Sequence, residues 1–340
     1  MPDRNQYEVH LGMADDPTTI FSSGTLRCDP PHANLPQPAV HVVGWRRQRT
    51  LAAPIRLQAR GLVYGNIVNL SLSPAPANTG RIFRRLDLPN SAPIPALAEH
   101  VFSTARRTVL GQPPNQVELV EHVLAALVAL MVDNCILDVD AQEMPGWDGS
   151  VQPLTEALLA TGTVEQDALI PIVTPQQTLV VRHKHASMVL HPLPQPELHV
   201  HYFLDYGGLA AIPPQRFGCR ITPENFLNHL AASRTFLLLE EVEALRRQGI
   251  GVDTGPEQVL VFGRHGVLGN RLRWADEPAR HKTLDLIGDL ALVGLPLAGR
   301  VVACRSGHTL NISLANHLRI AILSSGIKIT RETLPHISAA

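Results

Sequence analysis

The chain has 340 residues, of which 45% are hydrophobic and 17% are charged, and its formal net charge at pH 7 is −1. This composition indicates a globular protein, and the length favours two domains of roughly 120–160 residues each. Because a nearly neutral chain carries no broad basic field, we expect neither nucleic acid nor an anionic membrane surface as a partner.

The first half of the chain predicts an extension followed by a domain of strands and helices. Residues 1–44 are rich in proline and polar residues, which indicates an arm without a core of its own. The domain is expected over residues 45–168, and residues 163–174 are interpreted as the linker to the second half. Hydrophobic periodicity predicts a strand at 67–73, a helix at 117–132, a strand at 135–139 and a helix at 152–161.

The second half repeats this order over residues 169–325 and leaves 326–340 as a tail. The predicted strands are 179–182, 187–191, 198–204 and 301–305, and the predicted helices are 223–232, 238–248 and 279–294. Strands and helices in both halves predict an α+β fold of two similar domains, each with a layer of helices packed on a β-sheet.

A histidine and an aspartate four residues apart, His281 and Asp285, lie in the last of these predicted helices. Residues at i and i+4 share one face of a helix, so an imidazole and a carboxylate could bind one divalent metal, and such N/O ligation suits zinc. Asp289 lies one turn further along the same face, where a partner of a metal ligand would lie. The alternative is an ordinary surface pair, so the metal hypothesis needs further ligands elsewhere in the chain.

Two other histidines supply candidates for the remaining roles. Glu121 directly precedes His122 near the start of the first long predicted helix, and a carboxylate beside a metal-binding imidazole can act as a general base. His308 follows the last predicted strand on a loop, where it could donate a proton to a leaving group while Asp289 fixes its tautomer. The alternative for Glu121 and His122 is a capping glutamate with a half-buried histidine. The alternative for His308 is an ordinary turn histidine.

Several separate stretches, taken together, resemble one family in their order and spacing. They are 74–80 (PAPANTG), 120–127 (VEHVLAAL), 148–150 (DGS), 233–236 (SRTF), 280–289 (RHKTLDLIGD) and 306–311 (SGHTLN). Over about residues 46–320 the chain is similar to the UDP-3-O-acyl-N-acetylglucosamine deacetylase (LpxC) family, the zinc amidases of lipid A biosynthesis. Within the SRTF stretch, a hydroxyl could support an oxyanion or could cap a helix.

The resemblance implies hydrolysis of the N-acetyl group of UDP-3-O-(3-hydroxyacyl)-N-acetylglucosamine, a UDP-linked acylated amino sugar. It implies that His122, His281 and Asp285 hold one Zn²⁺ per chain, with Fe²⁺ as an alternative metal in the cell. It also implies that the two similar α+β domains pack with the active site between them.

The resemblance further implies a role for each group around the metal. Glu121 would deprotonate the attacking water, and Thr235 would help to stabilise the oxyanion. His308, oriented by Asp289, would protonate the departing amine. The implied substrate-binding residues are Lys282, Phe236 and Arg305, with Arg305 facing the nucleotide phosphates.

Three departures from the family pattern bear on the substrate. Val63, in Gly-Leu-Val-Tyr-Gly at 61–65, stands where family members carry a histidine. Arg305 stands where lysine is usual, which keeps the charge but changes its shape. The family's β-α-β insert, a hydrophobic passage for the acyl chain, is expected at about 237–270, where 249–256 departs from the usual pattern. The alternative is a diverged paralogue that acts on another N-acetylated sugar or serves as a metal-retaining binding or regulatory protein.

The cysteines and the apolar runs bear on the compartment. The cysteines are too widely spaced for a zinc ribbon or a disulfide framework, and they are Cys28, Cys135, Cys219 and Cys304. The N-terminus lacks the basic and apolar regions of a signal peptide, and the longest apolar run, 123–132, is about half of a membrane span. We therefore expect a cytoplasmic protein without a transmembrane segment. We also expect a monomer.

Overall fold

The computed structural model describes residues 39–207 and 211–327. Most of the predicted arm at 1–44 and of the tail at 326–340 lies outside the described residues. The described chain combines helices with several β-sheets, so the predicted α+β class is confirmed. No helix among the described residues is long and apolar enough to cross a membrane.

The first half is built around a mixed β-sheet. Its elements in chain order are β1 (Val40–Leu51), β2 (Ile55–Arg60), β3 (Ile67–Pro74), β4 (Arg81–Arg85), β5 (Ile94–Pro95), β6 (Val101–Ser103), β7 (Val109–Gln112), β8 (Asn115–Glu118), α1 (Val120–Ala129), β9 (Cys135–Val139) and α2 (Gln152–Thr161). The described strands form a five-stranded sheet in the order β2-β3-β9-β4-β5 and a smaller antiparallel sheet β6-β7-β8. This smaller sheet leads directly into α1.

The second half contains a sheet of the same kind. Its elements are β10 (Thr163–Pro175), β11 (Leu179–His183), β12 (Ala186–His191), β13 (Leu198–Leu204), β14 (Gln215–Arg220), α3 (Pro223–His229), β15 (Phe236–Leu238), α4 (Leu239–Arg247), β16 (Leu260–Gly263), β17 (Gly266–Val267), α5 (Glu277–Leu290), β18 (Gly299–Cys304) and α6 (His308–Ser324). The described strands pair as β11-β12-β18-β13-β14 and as a smaller sheet β15-β16-β17. Strands β15 and β16 are parallel and are joined through α4.

The two larger sheets share one topology. In each, the strand that comes last in the chain lies in the middle, antiparallel to the second strand and parallel to the third. In each half the last α-helix before this central strand and the first one after it correspond, so α1 corresponds to α5 and α2 corresponds to α6. The predicted domain boundaries at 44/45 and 168/169 stay predictions.

A two-stranded antiparallel ribbon joins the halves. Strand β10 pairs with β1 from Thr163 opposite Leu51 to Pro175 opposite Val40. The segment 163–174, interpreted from the sequence as a linker, is therefore most of a β-strand. Strand β1 likewise begins inside the predicted arm, at Val40. The sequence did not indicate this strand, because its pairing partner β10 lies far along the chain.

Helices α1 and α5 pack against each other at close range and position the site. Nearly every residue of α1 is buried, which is expected of a helix covered on all sides. A Cβ added at Gly288 of α5 would lie 1.8 Å from the carbonyl oxygen of Glu121. Only glycine permits this approach. The helix predicted over 117–132 begins later, at Val120, because Asn115–Glu118 forms β8 and Leu119 has a left-handed φ of 60°.

Candidate active site

Three buried side chains from two helices converge on one point. His122 comes from α1, His281 and Asp285 come from α5, and one ligand atom of each lies within 4.8 Å of the others. The Nε2 atoms of both histidines are 3.3 Å from Asp285 Oδ1. The two rings meet edge to face, with centroids 4.8 Å apart. The helical spacing on α5 delivers two of these groups, and the close crossing with α1 delivers the third.

The tautomer of His281 is set by a backbone carbonyl. Its Nδ1 lies 3.1 Å from the oxygen of Ser233, and because a carbonyl only accepts, Nδ1 carries the proton and donates. Burial lowers the pKa of His281 to about 3, so the ring is neutral. Its Nε2 therefore presents a lone pair toward Asp285, which is the orientation that a metal ligand needs.

Asp285 offers one satisfied oxygen and one unsatisfied oxygen. Burial alone would raise its pKa, but His281 and Lys282 outweigh burial and hold the pKa well below its usual range, so the carboxylate is charged. Lys282 Nζ donates to Oδ2 at 3.0 Å. Oδ1 is buried and accepts no hydrogen bond from any described residue. Since the lone pair of His281 faces Oδ1 as well, a cation between them would satisfy both.

The donor set fits a divalent metal. Two imidazole nitrogens and one carboxylate oxygen leave a fourth position for water, which is the arrangement of a catalytic rather than a structural zinc site. The described residues thus contain a possible His/Asp metal site at the place where the sequence predicted one. Its occupancy and its metal stay open to experiment.

Glu121 lies beside these groups and faces His308. Its Oε2 accepts a hydrogen bond from the backbone amide of Thr108 at 3.1 Å, while its Oε1 lies 3.9 Å from His308 Nε2. Burial raises the pKa of Glu121, although the nearby His308 and His122 oppose the rise. A carboxylate with a raised pKa is a stronger base than an exposed one, which suits proton abstraction from water.

His308 is the first residue of α6, not a loop residue as the sequence suggested. Its Nδ1 lies 2.9 Å from Asp289 Oδ2, which also accepts from Asn311 Nδ2 at 2.8 Å. Burial and the positive end of the helix dipole both disfavour a charged imidazole. Burial lowers the pKa of His308, but Asp289 and Glu121 outweigh it and raise the pKa to about 9. The imidazolium is therefore the stable form at neutral pH.

The remaining predicted residues lie on the second-half side of the site. Thr235 follows the Ser-Arg pair whose serine carbonyl orients His281, and Phe236 lies edge to face with the His281 ring at 6.3 Å between centroids. Lys282 Nζ lies 5.6 Å from the Phe236 ring centroid. Arg305 directly follows β18 and forms an ion pair with Asp205. A phosphate bound by Arg305 would have to displace this acidic neighbour.

An apolar pocket adjoins the site through Leu119 and Thr235. Its volume is about 360 Å³, and the insert supplies most of its wall, mainly Leu237, Leu239, Val242, Leu245, Ile250, Val259, Val261 and Leu268. Val63 and Leu62 close the opposite side. The Val63 carbonyl accepts from Gly251, and the Leu62 carbonyl accepts from Thr254, at 2.9 and 2.8 Å. Val63 therefore adds an apolar side chain to an apolar wall.

One buried residue at the centre of the site escaped prediction from the sequence. Thr108, just before β7, contacts Glu121, Asp289 and His308. The residues next to Thr108 in the sequence do not indicate a functional role, since threonine is common at strands. Its partners lie far away in the chain, so the sequence carried no local signal for it.

Comparison with known proteins agrees with the geometry. The family model of the UDP-3-O-acyl N-acetylglycosamine deacetylases, LpxC, matches residues 48–319. The chain belongs to this family. The resemblance noted in the sequence is thereby confirmed, and the protein is an enzyme of the deacetylase class.

Individual relatives support the same assignment. A UDP-3-O-acyl-N-acetylglucosamine deacetylase of Thermosynechococcus vestitus is 40% identical over 268 residues, which cover 79% of this chain and 92% of the relative. One from Chlamydia pneumoniae is 36% identical over 279 residues, covering 82% and 98%. A bifunctional LpxC/FabZ enzyme of Chlorobaculum tepidum is 37% identical over 299 residues, covering 80% of this chain but only 64% of the relative.

Proposed function

We propose that this protein hydrolyses the N-acetyl group of UDP-3-O-acyl-N-acetylglucosamine with zinc as its metal, giving the free amine and acetate in lipid A biosynthesis. The observation that carries the proposal is the buried His122, His281 and Asp285 cluster, whose Asp285 Oδ1 has no hydrogen-bond partner among the described residues. The family assignment supplies the substrate class. A cytoplasmic location, a monomeric state and the choice of zinc over Fe²⁺ stay predictions.

The three clustered side chains would hold the metal, and the surrounding groups would move the protons. A bound divalent ion lowers the pKa of water and polarises an amide carbonyl. Glu121 takes the proton from the attacking water, because its carboxylate adjoins the ligands and its raised pKa makes it a competent base. The Thr235 hydroxyl donates to the carbonyl oxygen as negative charge develops there.

The amine leaves as His308 donates its proton. The His308 ring is cationic at neutral pH, and its Nε2 lies 3.9 Å from Glu121 Oε1 and 4.0 Å from Asp285 Oδ2, so it faces the reacting centre. Asp289 fixes the proton on Nδ1 and thereby aims Nε2 inward.

The acyl chain and the nucleotide of the substrate bind to different surfaces of the site. The acyl chain occupies the apolar pocket between the insert and the Leu62–Val63 backbone, where its burial contributes about 0.8 kcal/mol per methylene. Lys282 and Arg305 are the cations on the nucleotide side, and Phe236 provides an apolar face next to Lys282. Only local cations are needed, which agrees with the nearly neutral charge of the chain.

The test is turnover of UDP-3-O-(3-hydroxyacyl)-N-acetylglucosamine by the purified, zinc-loaded protein, with metal content measured on the same sample. We expect release of acetate and a free amine at a rate that falls when zinc is removed and returns when zinc is restored. A fully metallated protein that leaves this substrate intact would contradict the proposal. The same protein would then be assayed on other N-acetylated sugars, which is the alternative activity left open by the sequence.

A further inference from the structure

Thr108 joins the base and the acid of the proposed site. This residue is fully buried just before β7 in the first half of the chain. Its backbone amide donates to Glu121 Oε2 at 3.1 Å. Its hydroxyl donates to Asp289 Oδ1 at 2.5 Å and lies 3.3 Å from His308 Nδ1. One residue therefore contacts the group that accepts a proton and the pair that donates one.

The hydroxyl completes the coordination of the Asp289 carboxylate. Oδ2 accepts from His308 and Asn311, whereas Oδ1 accepts from Thr108. Asp289 is fully buried, so water has no open route to replace a lost donor. A buried carboxylate oxygen that loses its donor is destabilised, and rotation of the carboxylate is the simplest relief. Such a rotation would carry the His308 ring with it.

The amide holds the Glu121 carboxylate at one end. Because Oε2 is bound to Thr108, Oε1 is the oxygen that faces His308 Nε2 across 3.9 Å. The same backbone segment thus sets where the base points and where the imidazole sits. We propose that Thr108 is a positioning residue that fixes Glu121 and the Asp289–His308 pair relative to each other for the proposed hydrolysis. The proposal rests on the proposed function for its kinetic consequence, but the geometry can be tested without turnover.

The experiment compares zinc-loaded wild type with Thr108→Val and Thr108→Ser. Valine has nearly the shape of threonine and keeps the amide, so it removes the hydroxyl alone, while serine keeps the hydroxyl. We expect Thr108→Val to lower kcat about 10- to 100-fold, because small misplacements of reacting groups cost this much. KM and zinc content should stay within about twofold of wild type, and Thr108→Ser should recover most of kcat.

A matched control separates positioning from general loss of a buried hydroxyl. Thr155 of α2 is also fully buried, and its hydroxyl donates to the Val151 carbonyl at 2.9 Å rather than to a residue of the proposed site. Thr155→Val should lower the melting temperature but leave kcat unchanged. An unchanged kcat in Thr108→Val would overturn the proposal. If Thr108→Val and Thr108→Ser both lost kcat and zinc, the proposal would also be overturned. Thr108 would then support the fold rather than the relative positions of Glu121 and the Asp289–His308 pair.

Crystal structures of the three zinc-loaded proteins distinguish this inference from the proposed function. The Asp289 carboxylate and the His308 ring should rotate in Thr108→Val and keep their wild-type positions in Thr108→Ser. If wild type fails to hydrolyse the UDP-sugar, the proposed function falls, while this comparison still decides whether Thr108 holds the pair. Unmoved side chains in Thr108→Val would overturn the positioning role whatever the substrate is.

Discussion

Glu121 and His308 face each other across the site, and each changes the pKa of the other. Burial raises the pKa of Glu121, and the cationic His308 works against that rise. The pKa of His308 is raised to about 9 by Asp289 and Glu121, despite burial. Between these two pKa values Glu121 is deprotonated and His308 is protonated, which is the combination that the proposed hydrolysis requires.

At the residue scale, Glu121→Ala should keep the metal and lose turnover. Glu121 is held by the Thr108 amide and is not one of the clustered ligands, so its removal leaves the donor set intact. We expect kcat to fall at least about 100-fold, the usual worth of a general base. Steady-state kinetics and elemental analysis on the same sample test this. Unchanged turnover would contradict the role of base.

A second residue-scale prediction concerns pH. In the proposed mechanism His308 acts as an acid, so activity should fall as pH rises through its pKa, which Asp289 helps to raise to about 9. Asp289→Asn removes the negative charge while burial continues to favour the neutral ring, so the pKa falls. The alkaline limb of the pH–kcat profile should therefore move to lower pH. A limb that stays in place would show that another group controls it.

The cluster of His122, His281 and Asp285 could be predicted from the sequence, whereas Thr108 could not. The spacing of His281 and Asp285 alone places them on one face of a helix. The adjacent Glu121 and His122 suggest a general base beside a metal ligand. Thr108 acquires its role only when β7 is brought against α5, and a single hydroxyl carries no periodicity. The ion pair of Arg305 with Asp205 likewise depends on the meeting of two strand ends.

At the element scale, the crossing of α1 and α5 decides whether the ligands meet. Gly288 is the contact point, and an added Cβ would overlap the backbone of Glu121, which cannot move as a flexible side chain could. Gly288→Ala should therefore destabilise the fold by about 1–3 kcal/mol or more through overpacking. It should also weaken metal binding, since His122 is displaced from α5.

Thermal unfolding and a zinc titration measure both effects of Gly288→Ala. Gly307→Ala serves as the control for stability, because a Cβ there meets no atom within 4 Å. Its melting temperature should change much less than that of Gly288→Ala. Equal melting temperatures in the two variants would mean that the helices can separate without cost.

Elements with local signals were predicted from the sequence, and elements made by distant partners were not. The strand at 198–204 is β13 itself, and the helix at 152–161 is α2 itself. Helix α6 was missed because Gly307, which precedes it, offers no capping side chain to mark its start. The helix packs against α5, and most helical stability in proteins comes from such tertiary packing, which a local pattern does not show.

At the scale of the whole molecule, one metal would connect helices from both halves of the chain. Such an ion binds the folded state and stabilises it by about 2.7 kcal/mol when free metal is about 100 times Kd. Chelation should therefore abolish turnover and lower the melting temperature by on the order of 5 °C.

The control for chelation is His281→Ala, which lacks a central ligand. Its zinc content should be low, and its melting temperature should not respond to chelator. Full zinc occupancy in this variant would refute the ligand assignment. If chelator lowered the melting temperature of wild type and of His281→Ala equally, the chelator would act at a place other than the His122, His281 and Asp285 cluster.

The place of the last strand in each large sheet has a consequence for a chain emerging from the ribosome. Until β18 is made, the second sheet exists only as two separate hairpins, β11–β12 and β13–β14, with no strand between them. Strand β18 fills that gap, and His308 lies four residues after its end. Because synthesis proceeds from the N-terminus, the nascent chain receives His308 directly after the strand that completes the sheet.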